Sequence, residues 1–223
     1  MVTSVLLLAW PYLVRPEPAR TEGGSLVTIE EATQALASGQ YNLARAQFKA
    51  LLEARTPTDL PASVLHHLFR QTDLLARLAP RSLEEIVRHA ALVRHPDEWA
   101  SQFADYRQRS IILDDALRRD DRGRPMLAHY VLAEGDMPVR LALEELTLLR
   151  DLPLDDAPRV IFGARLAECS REEGGTWVIH LVPDSGVLLT EPAALESCYL
   201  QPLDEPTRAV LERQKRWRSL EQR

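Results

Sequence analysis

The chain has 223 residues, of which 45% are apolar and 27% are charged, a composition typical of a soluble globular protein with its own hydrophobic core. The 33 acidic side chains outnumber the 27 basic ones, and a formal net charge of −6 excludes general electrostatic attraction to nucleic acids or anionic membranes. Only two basic residues are lysines, Lys49 and Lys215, and neither follows a glycine-rich loop. P-loop nucleotide chemistry is therefore excluded as well.

An apolar run of 13 residues, VTSVLLLAWPYLV, lies at 2–14 and is interrupted by Pro11. A membrane-spanning helix needs roughly 17 to 25 apolar residues, so this run is too short to cross a bilayer. It also lacks the preceding positive charge and the nearby cleavage site of a signal peptide. We therefore interpret residues 1–24 as a buried strand followed by a loop, with a signal segment as the alternative.

Capping signals predict a series of helices in the middle of the chain. Thr28 and Glu31 form the capping-box pattern, which predicts a helix that ends near Ser38. A second helix is predicted over about 41–55, and a third is predicted to open at Asp59. Ser82, followed three residues later by a glutamate, is a second capping box and predicts a fourth helix.

Two further helices are predicted from helical spacing of apolar residues. Asp97 opens a long segment whose apolar stripe contains Trp99, Phe103, Tyr106, Leu113 and Leu117. Asp136 opens the last segment, whose buried face would contain Val139, Ala142, Leu143, Leu146 and Leu149. We therefore expect about six helices, arranged as a bundle or short solenoid, in a helical domain over 25–152.

The turn between the first two helices carries a repeat-like pattern. Gly39 allows a tight turn, Tyr41 fills the angle between the helices, and Ala44 and Phe48 line their seam. Because of these four positions, residues 28–70 resemble tetratricopeptide repeats. The resemblance implies a helical-repeat array that binds another protein.

After residue 153 the apolar pattern changes to that of strands. Residues 159–167 and 176–182 are rich in β-branched and aromatic residues, and two glycines between them predict a hairpin. Short strands are also predicted at 187–190 and 198–201. We expect a small antiparallel β module over 153–203, although 163–173 also suits a helix.

The string RVIFGA at Arg159–Ala164 resembles the start of the C-terminal domain of the Gre transcript-cleavage factors, which bind RNA polymerase. The resemblance implies polymerase binding. The acidic cluster that holds a catalytic magnesium ion in those factors has no counterpart near Asp136, so transcript cleavage does not carry over.

A basic helix is predicted over 204–223. From Arg208 to the end, six basic residues stand against two acidic ones, a local charge of 6 − 2 = +4. The candidate partner-binding residues are Arg213, Arg216, Trp217 and Arg218. On one interpretation, these residues bind phosphates or an acidic partner. On the other, the helix docks by its apolar edge and its arginines are solvated.

Catalytic and metal motifs are absent from the sequence. Cys169 and Cys198 form neither a disulfide framework nor a zinc motif, which indicates a reducing, cytoplasmic compartment. The six histidines include no metal-type spacing, so we expect no metal and no other cofactor. The one constellation with catalytic residue types is Cys198 as nucleophile, His180 as base and Asp184 as its orienting acid.

These patterns predict an α+β protein, mainly α, in which a helical domain is followed by a small antiparallel β module and a C-terminal helix. The leading functional hypothesis is a non-enzymatic adaptor or regulator whose partner is another protein. The first alternative is a protein that binds nucleic acid or RNA polymerase through the C-terminal basic helix. The second is an enzyme that uses Cys198 and His180.

Overall fold

The computed structural model describes residues 27–54, 60–91, 96–129, 133–134, 137–150, 152–154, 156–172 and 175–220. The predicted strand and loop over 1–24 lie outside these residues, as do Asp59 and Asp136. The described residues form an α+β protein that is mainly α, as predicted.

Seven α-helices lie within the described residues: α1 (Ile29–Ala37), α2 (Tyr41–Ala54), α3 (Ala62–Leu75), α4 (Leu83–Ala91), α5 (Pro96–Phe103), α6 (Pro192–Tyr199) and α7 (Glu205–Leu220). The same residues contain seven strands: β1 (Ser110–Arg119), β2 (Pro125–Leu127), β3 (Ala133–Glu134), β4 (Met137–Leu141), β5 (Arg159–Arg171), β6 (Trp177–Leu181) and β7 (Val187–Leu188).

Both predicted capping boxes are present. The backbone N–H of Glu31 donates to the Thr28 hydroxyl (3.2 Å), and the Glu31 carboxylate accepts from the Thr28 N–H (3.0 Å). Ser82 and Glu85 make the same reciprocal pair, at 3.2 and 2.9 Å. Because these bonds satisfy N–H groups that have no partner inside a helix, α1 and α4 begin where the sequence predicts.

Helices α1, α2 and α3 pack side by side. Gly39 has φ +76, a left-handed conformation that suits glycine at the turn between α1 and α2. Ala44 and Phe48 are fully buried, as their place in a helical seam predicts. Helix α3 then packs against β5 and β7, so the sheet covers the side on which another helical hairpin would stack.

The prediction of helices that start at Asp97 and Asp136 is wrong for most of the residues in those two segments. Helix α5 ends at Phe103, and Leu113 and Leu117 belong to strand β1. Val139 lies on β4, and residues Leu143–Glu145 and Thr147–Leu149 form two 3-10 turns. Residues four apart share a face in strands as well as in helices, so the spacing of Leu113 and Leu117 fits both structures.

The strand predicted at 198–201 is also wrong, because Cys198 lies in helix α6. Pro192 occupies the first turn of α6, where its missing N–H costs nothing, and good helix formers follow it. The helix ends at Leu200, which is left-handed with φ 56.

Strand β5 is the centre of the sheet. Its first half pairs antiparallel with β1, from Arg159 opposite Ala116 to Arg165 opposite Ser110. Its other edge pairs antiparallel with β7 and then with β6. The predicted strands over 159–167 and 176–182 are confirmed, and the helix considered for 163–173 is excluded.

The sheet is larger than the predicted β module. Strand β6 pairs in parallel with β4, β4 pairs with β3, and β1 pairs with β2. Strands β1 to β4 come from the segment predicted to be helical, so the predicted boundary at residue 152 runs through the sheet. Among the paired strands of the described residues, β4 and β6 run parallel and the other pairs run antiparallel.

The order of the paired strands, β2-β1-β5-β6-β4-β3, requires a curled sheet. Only five residues separate Leu127 of β2 from Ala133 of β3, a span of at most about 20 Å. A flat sheet would place these end strands about 24 Å apart.

The alternating side chains of β5 enter two different hydrophobic cores. Val160, Phe162 and Ala164 face the inside of the curled sheet, which also holds Trp99 and Phe103 of α5. Leucines from the segment between β4 and β5 complete this inner core: Leu143, Leu146, Leu149, Leu152 and Leu154. On the opposite face of β5, Ile161 joins a second core made with α1, α2, α3, α6 and α7.

Gly163 of β5 lies against Leu74 of helix α3. A Cβ atom at this position would lie 2.4 Å from Leu74 Cδ1 and 3.0 Å from the carbonyl oxygen of Ile111. Leu74 is only 2% exposed and has little room to move. The absence of a side chain at residue 163 therefore lets α3 lie directly on the strand.

We predict that Gly163→Ala lowers the free energy of unfolding by about 1–3 kcal/mol, because the added methyl group overpacks this contact. Urea denaturation monitored by circular dichroism measures the change. In the double variant that also carries Leu74→Ala, the loss in free energy of unfolding should be smaller than the sum of the losses in the two single variants, because Leu74→Ala removes the clashing atoms. Strictly additive costs would contradict the proposed contact.

Helix α3 also docks through polar groups. The buried Gln71 side chain accepts from the backbone N–H of Thr190 (2.8 Å), and His67 Nε2 lies 3.1 Å from the Thr190 hydroxyl oxygen. The Arg70 guanidinium donates to the carbonyl oxygens of Asp184 and Gly186. Burial, together with the nearby charges of Arg218 and Arg70, lowers the pKa of His67 to about 3.

This lowered pKa predicts a loss of stability in acid. The folded chain binds a proton at His67 only near pH 3, whereas the unfolded chain binds it near pH 6.5. The contribution of neutral His67 to stability is therefore complete above about pH 6.5 and is lost as the pH falls toward 3. We expect His67→Gln to flatten this part of the pH dependence of unfolding.

His66 provides a matched control, because it is the neighbouring histidine on α3 and its side chain is exposed. His66→Gln should leave the acid dependence unchanged. Equal effects of the two substitutions, measured by thermal unfolding from pH 7 to pH 4, would show that burial of His67 does not cause the loss.

Candidate functional site

The C-terminal helix α7 docks on the protein by one face. Val210, Leu211 and Gln214 are buried in this face. The Gln214 amide donates to the carbonyl oxygens of Ile161 (2.9 Å) and Leu189 (2.5 Å) and accepts from the Ile161 N–H (2.7 Å). The side chain thus provides a partner for the Ile161 N–H of β5 and for the Leu189 carbonyl oxygen, and it shares the Ile161 carbonyl oxygen with the backbone N–H of Leu189.

Three of the four candidate partner-binding residues contact their own chain. The Arg213 guanidinium donates to the Arg159 carbonyl oxygen and lies over the Trp217 ring, 5.2 Å from its centroid. Trp217 packs against the inner core, and Arg218 lies near His67. Arg216 is the exposed member of this set. This arrangement favours the interpretation of a docked terminal helix.

We predict that Gln214→Met, which keeps the length of the side chain, lowers the free energy of unfolding by about 1–3 kcal/mol because the buried Ile161 N–H loses its partner. Arg216→Ala, two residues away on the exposed side of α7, should change it by less than about 0.5 kcal/mol. Chemical denaturation measures both values. Equal stability of the two variants would contradict the role assigned to Gln214.

The structure does not bring the predicted catalytic residues together. Cys198 lies on α6 against the helical core, where burial raises the pKa of its thiol to about 11. Asp184 accepts a hydrogen bond from the Thr147 hydroxyl (3.3 Å). His180 has other partners at both ring nitrogens. The alternative of an enzyme using Cys198 and His180 therefore lacks its geometry.

His180 instead forms a chain of hydrogen bonds with a serine and a glutamate. Its Nε2 atom lies 2.8 Å from Ser170 Oγ, and its Nδ1 atom lies 2.7 Å from Glu145 Oε1. The other oxygen of Glu145 accepts from the backbone N–H of Leu181 (3.0 Å). Serine, imidazole and carboxylate in this order are the groups that nucleophilic catalysis requires.

Strand register positions these three side chains. Ser170 on β5 is paired with Val178 on β6, and His180 follows two residues later on the same face of the sheet. A register shift between Leu166 and Cys169 sets this alignment. Glu145 ends the 3-10 turn after β4, which pairs in parallel with β6 and thus brings the carboxylate to His180.

Arg140 spans the same face of the sheet. It pairs with Val178 from the β4 side, and its guanidinium forms ion pairs with Glu144 (2.6 Å) and Glu172 (2.9 Å). Val178 beneath this network is only 1% exposed. Ser170 is exposed and accessible to small molecules. We call Ser170, His180 and Glu145, with Arg140 beside them, the outer-face cluster.

Comparison of the chain with protein-family models, with curated proteins and with solved structures gives no significant match. Within the described ranges, no group of three or more His, Cys, Asp or Glu residues has a geometry that could hold a metal ion. None of the helices in that part of the chain combines the length and apolar character needed to cross a bilayer.

Proposed function

We propose that the protein acts by binding another protein through a groove between α1 and α2. The groove has a volume of about 500 Å³. It is lined by Glu30, Glu31, Gln34, Ala35, Ser38, Gln40 and Leu43. The observation that carries the proposal is Leu43, a large apolar side chain that is 46% exposed in this groove.

The charge of the groove defines the chemistry of its partner. Two glutamates and no basic residue line it. A segment with an apolar side chain that contacts Leu43, flanked by lysine or arginine near the glutamates, matches this surface. We therefore propose a basic, amphipathic protein segment as the partner.

Hydrogen bonds join the hairpin of α1 and α2 to helix α6, which supports its use as a preformed site. The Tyr41 hydroxyl donates to the Ala194 carbonyl oxygen (3.0 Å), and the Ser197 hydroxyl donates to the Ala37 carbonyl oxygen (2.7 Å). A surface fixed before binding loses little conformational entropy when the partner docks.

The alternative, binding of nucleic acid or RNA polymerase through α7, would depend mainly on Arg216, because the other candidate residues of α7 contact their own chain. This alternative predicts strong salt dependence and loss of binding in Arg216→Ala.

We predict that Leu43→Asp weakens partner binding by at least about tenfold, because it removes the apolar contact and adds a charge to the groove. We expect the immobilised full chain to capture a stoichiometric partner from an extract of its own cells. Calorimetry with the purified partner then gives the affinity of each variant.

Leu200→Asn is the matched control. Leu200 is another exposed apolar residue, 76% exposed, and asparagine tolerates its left-handed conformation. This variant should bind with unchanged affinity. Equal weakening by Leu43→Asp and Leu200→Asn, or loss in Arg216→Ala alone, would reject the groove as the binding site.

A further inference from the structure

We propose that the outer-face cluster is a nucleophile site, in which Ser170 attacks carboxylic esters with His180 as general base and Glu145 as its positioning residue. The proposal stands apart from partner binding, because Ser170 lies on the sheet and Leu43 lies on the helical hairpin. Either proposal can fail without the other.

The hydrogen bonds define the tautomer of His180. The Glu145 carboxylate can only accept, so Nδ1 of His180 carries the proton of the 2.7 Å bond. When the imidazole is neutral, Nε2 presents its lone pair to the Ser170 hydroxyl at 2.8 Å, within the range for proton transfer. The Leu181 N–H holds the second oxygen of Glu145 and keeps the carboxylate in place. This is the protonation state that a general base needs.

The reaction follows from these positions. Ser170 Oγ forms a bond to the carbonyl carbon of the ester as His180 Nε2 takes the hydroxyl proton. The bond from that carbon to the alcohol oxygen then breaks, the alcohol leaves with the proton from His180, and the acyl group remains on Ser170. Water attacks the acyl group, His180 takes a proton from the water, and Ser170 leaves with that proton. The net change is ester plus water to carboxylic acid plus alcohol.

The charges around Ser170 select among esters. Glu144, Glu145 and Glu172 stand against Arg140, a local charge of 1 − 3 = −2. Arg140 lies in the same cross-strand row as Ser170, with Val178 between them, and its positive charge is engaged in ion pairs with Glu144 and Glu172. Because the surrounding glutamates repel anions, we expect neutral or cationic esters to react and anionic esters to be rejected.

The first test is covalent labelling of the full-length chain with a fluorophosphonate probe, which reacts with activated serines. We expect mass spectrometry to place one label on Ser170. Labelling should be lost in Ser170→Ala and should slow by at least about 100-fold in His180→Gln. Ser101→Ala removes another exposed serine, on α5, and should label at the rate of the unmodified chain.

Glu145→Gln tests the positioning role. The maximal labelling rate should fall by at least about tenfold while the probe concentration for half-maximal rate stays the same, because the probe does not touch Glu145. If Glu145 had only a structural role, Glu145→Gln would lower thermal stability. The maximal labelling rate would then not fall while the probe concentration for half-maximal rate stays the same. Circular dichroism of each variant establishes that it is folded.

Hydrolysis of p-nitrophenyl acetate, a neutral ester, provides the second readout and should be lost in Ser170→Ala. Absence of labelling in the folded, unmodified chain would overturn the proposal. So would labelling that persists in Ser170→Ala, or hydrolysis at the same rate in Ser170→Ala and Ser101→Ala.

Discussion

The first half of strand β5 is buried on both faces, and the two hydrophobic cores of the protein meet there. Val160 and Phe162 face the inside of the curled sheet, while Ile161 faces the helices. Gly163 allows α3 to lie directly on this strand. Because the same strand completes both cores, the helical part and the sheet depend on each other for stability, and neither buries its apolar surface alone.

Polar side chains complete the junction where strand pairing stops. Strand β7 pairs with β5 at only two positions, Phe162 and Gly163. Buried amide groups therefore serve the neighbouring backbone: Gln214 binds Ile161, and Gln71 binds Thr190. Unpaired backbone groups in a core are costly, so these amides specify where α3 and α7 dock.

The docking of α7 explains why a basic segment need not be a nucleic-acid surface. The local charge of +4 is a property of composition, but Arg213 and Arg218 lie at the edge of a buried helix face. Arginine carries a long apolar stem and five donors, so it can cover Trp217 and bind a backbone carbonyl oxygen at the same time. Arg213 therefore contributes to the docking of α7 on its own chain.

The outer-face cluster shows how far a sequence can identify a site. The residue type of His180 marks it as a candidate, but its predicted nucleophile, Cys198, lies on a helix, and its predicted orienting acid, Asp184, binds Thr147. Its observed partners are 10 residues before it, at Ser170, and 35 residues before it, at Glu145. No local spacing predicts this juxtaposition, because it depends on the register of β5 against β6 and on the parallel pairing of β4.

The sequence by itself determined the features that local interactions control. Both capping boxes, the turn at Gly39, and strands β5 and β6 follow from neighbouring residues, since caps and turns are built from bonds over a few positions. Only the tertiary structure decided that residues 110–119 and 137–141 are strands. A strand obtains its hydrogen bonds from distant segments, and apolar residues four apart fit a helix equally well. The curled sheet, both cores and the outer-face cluster all result from those long-range pairings.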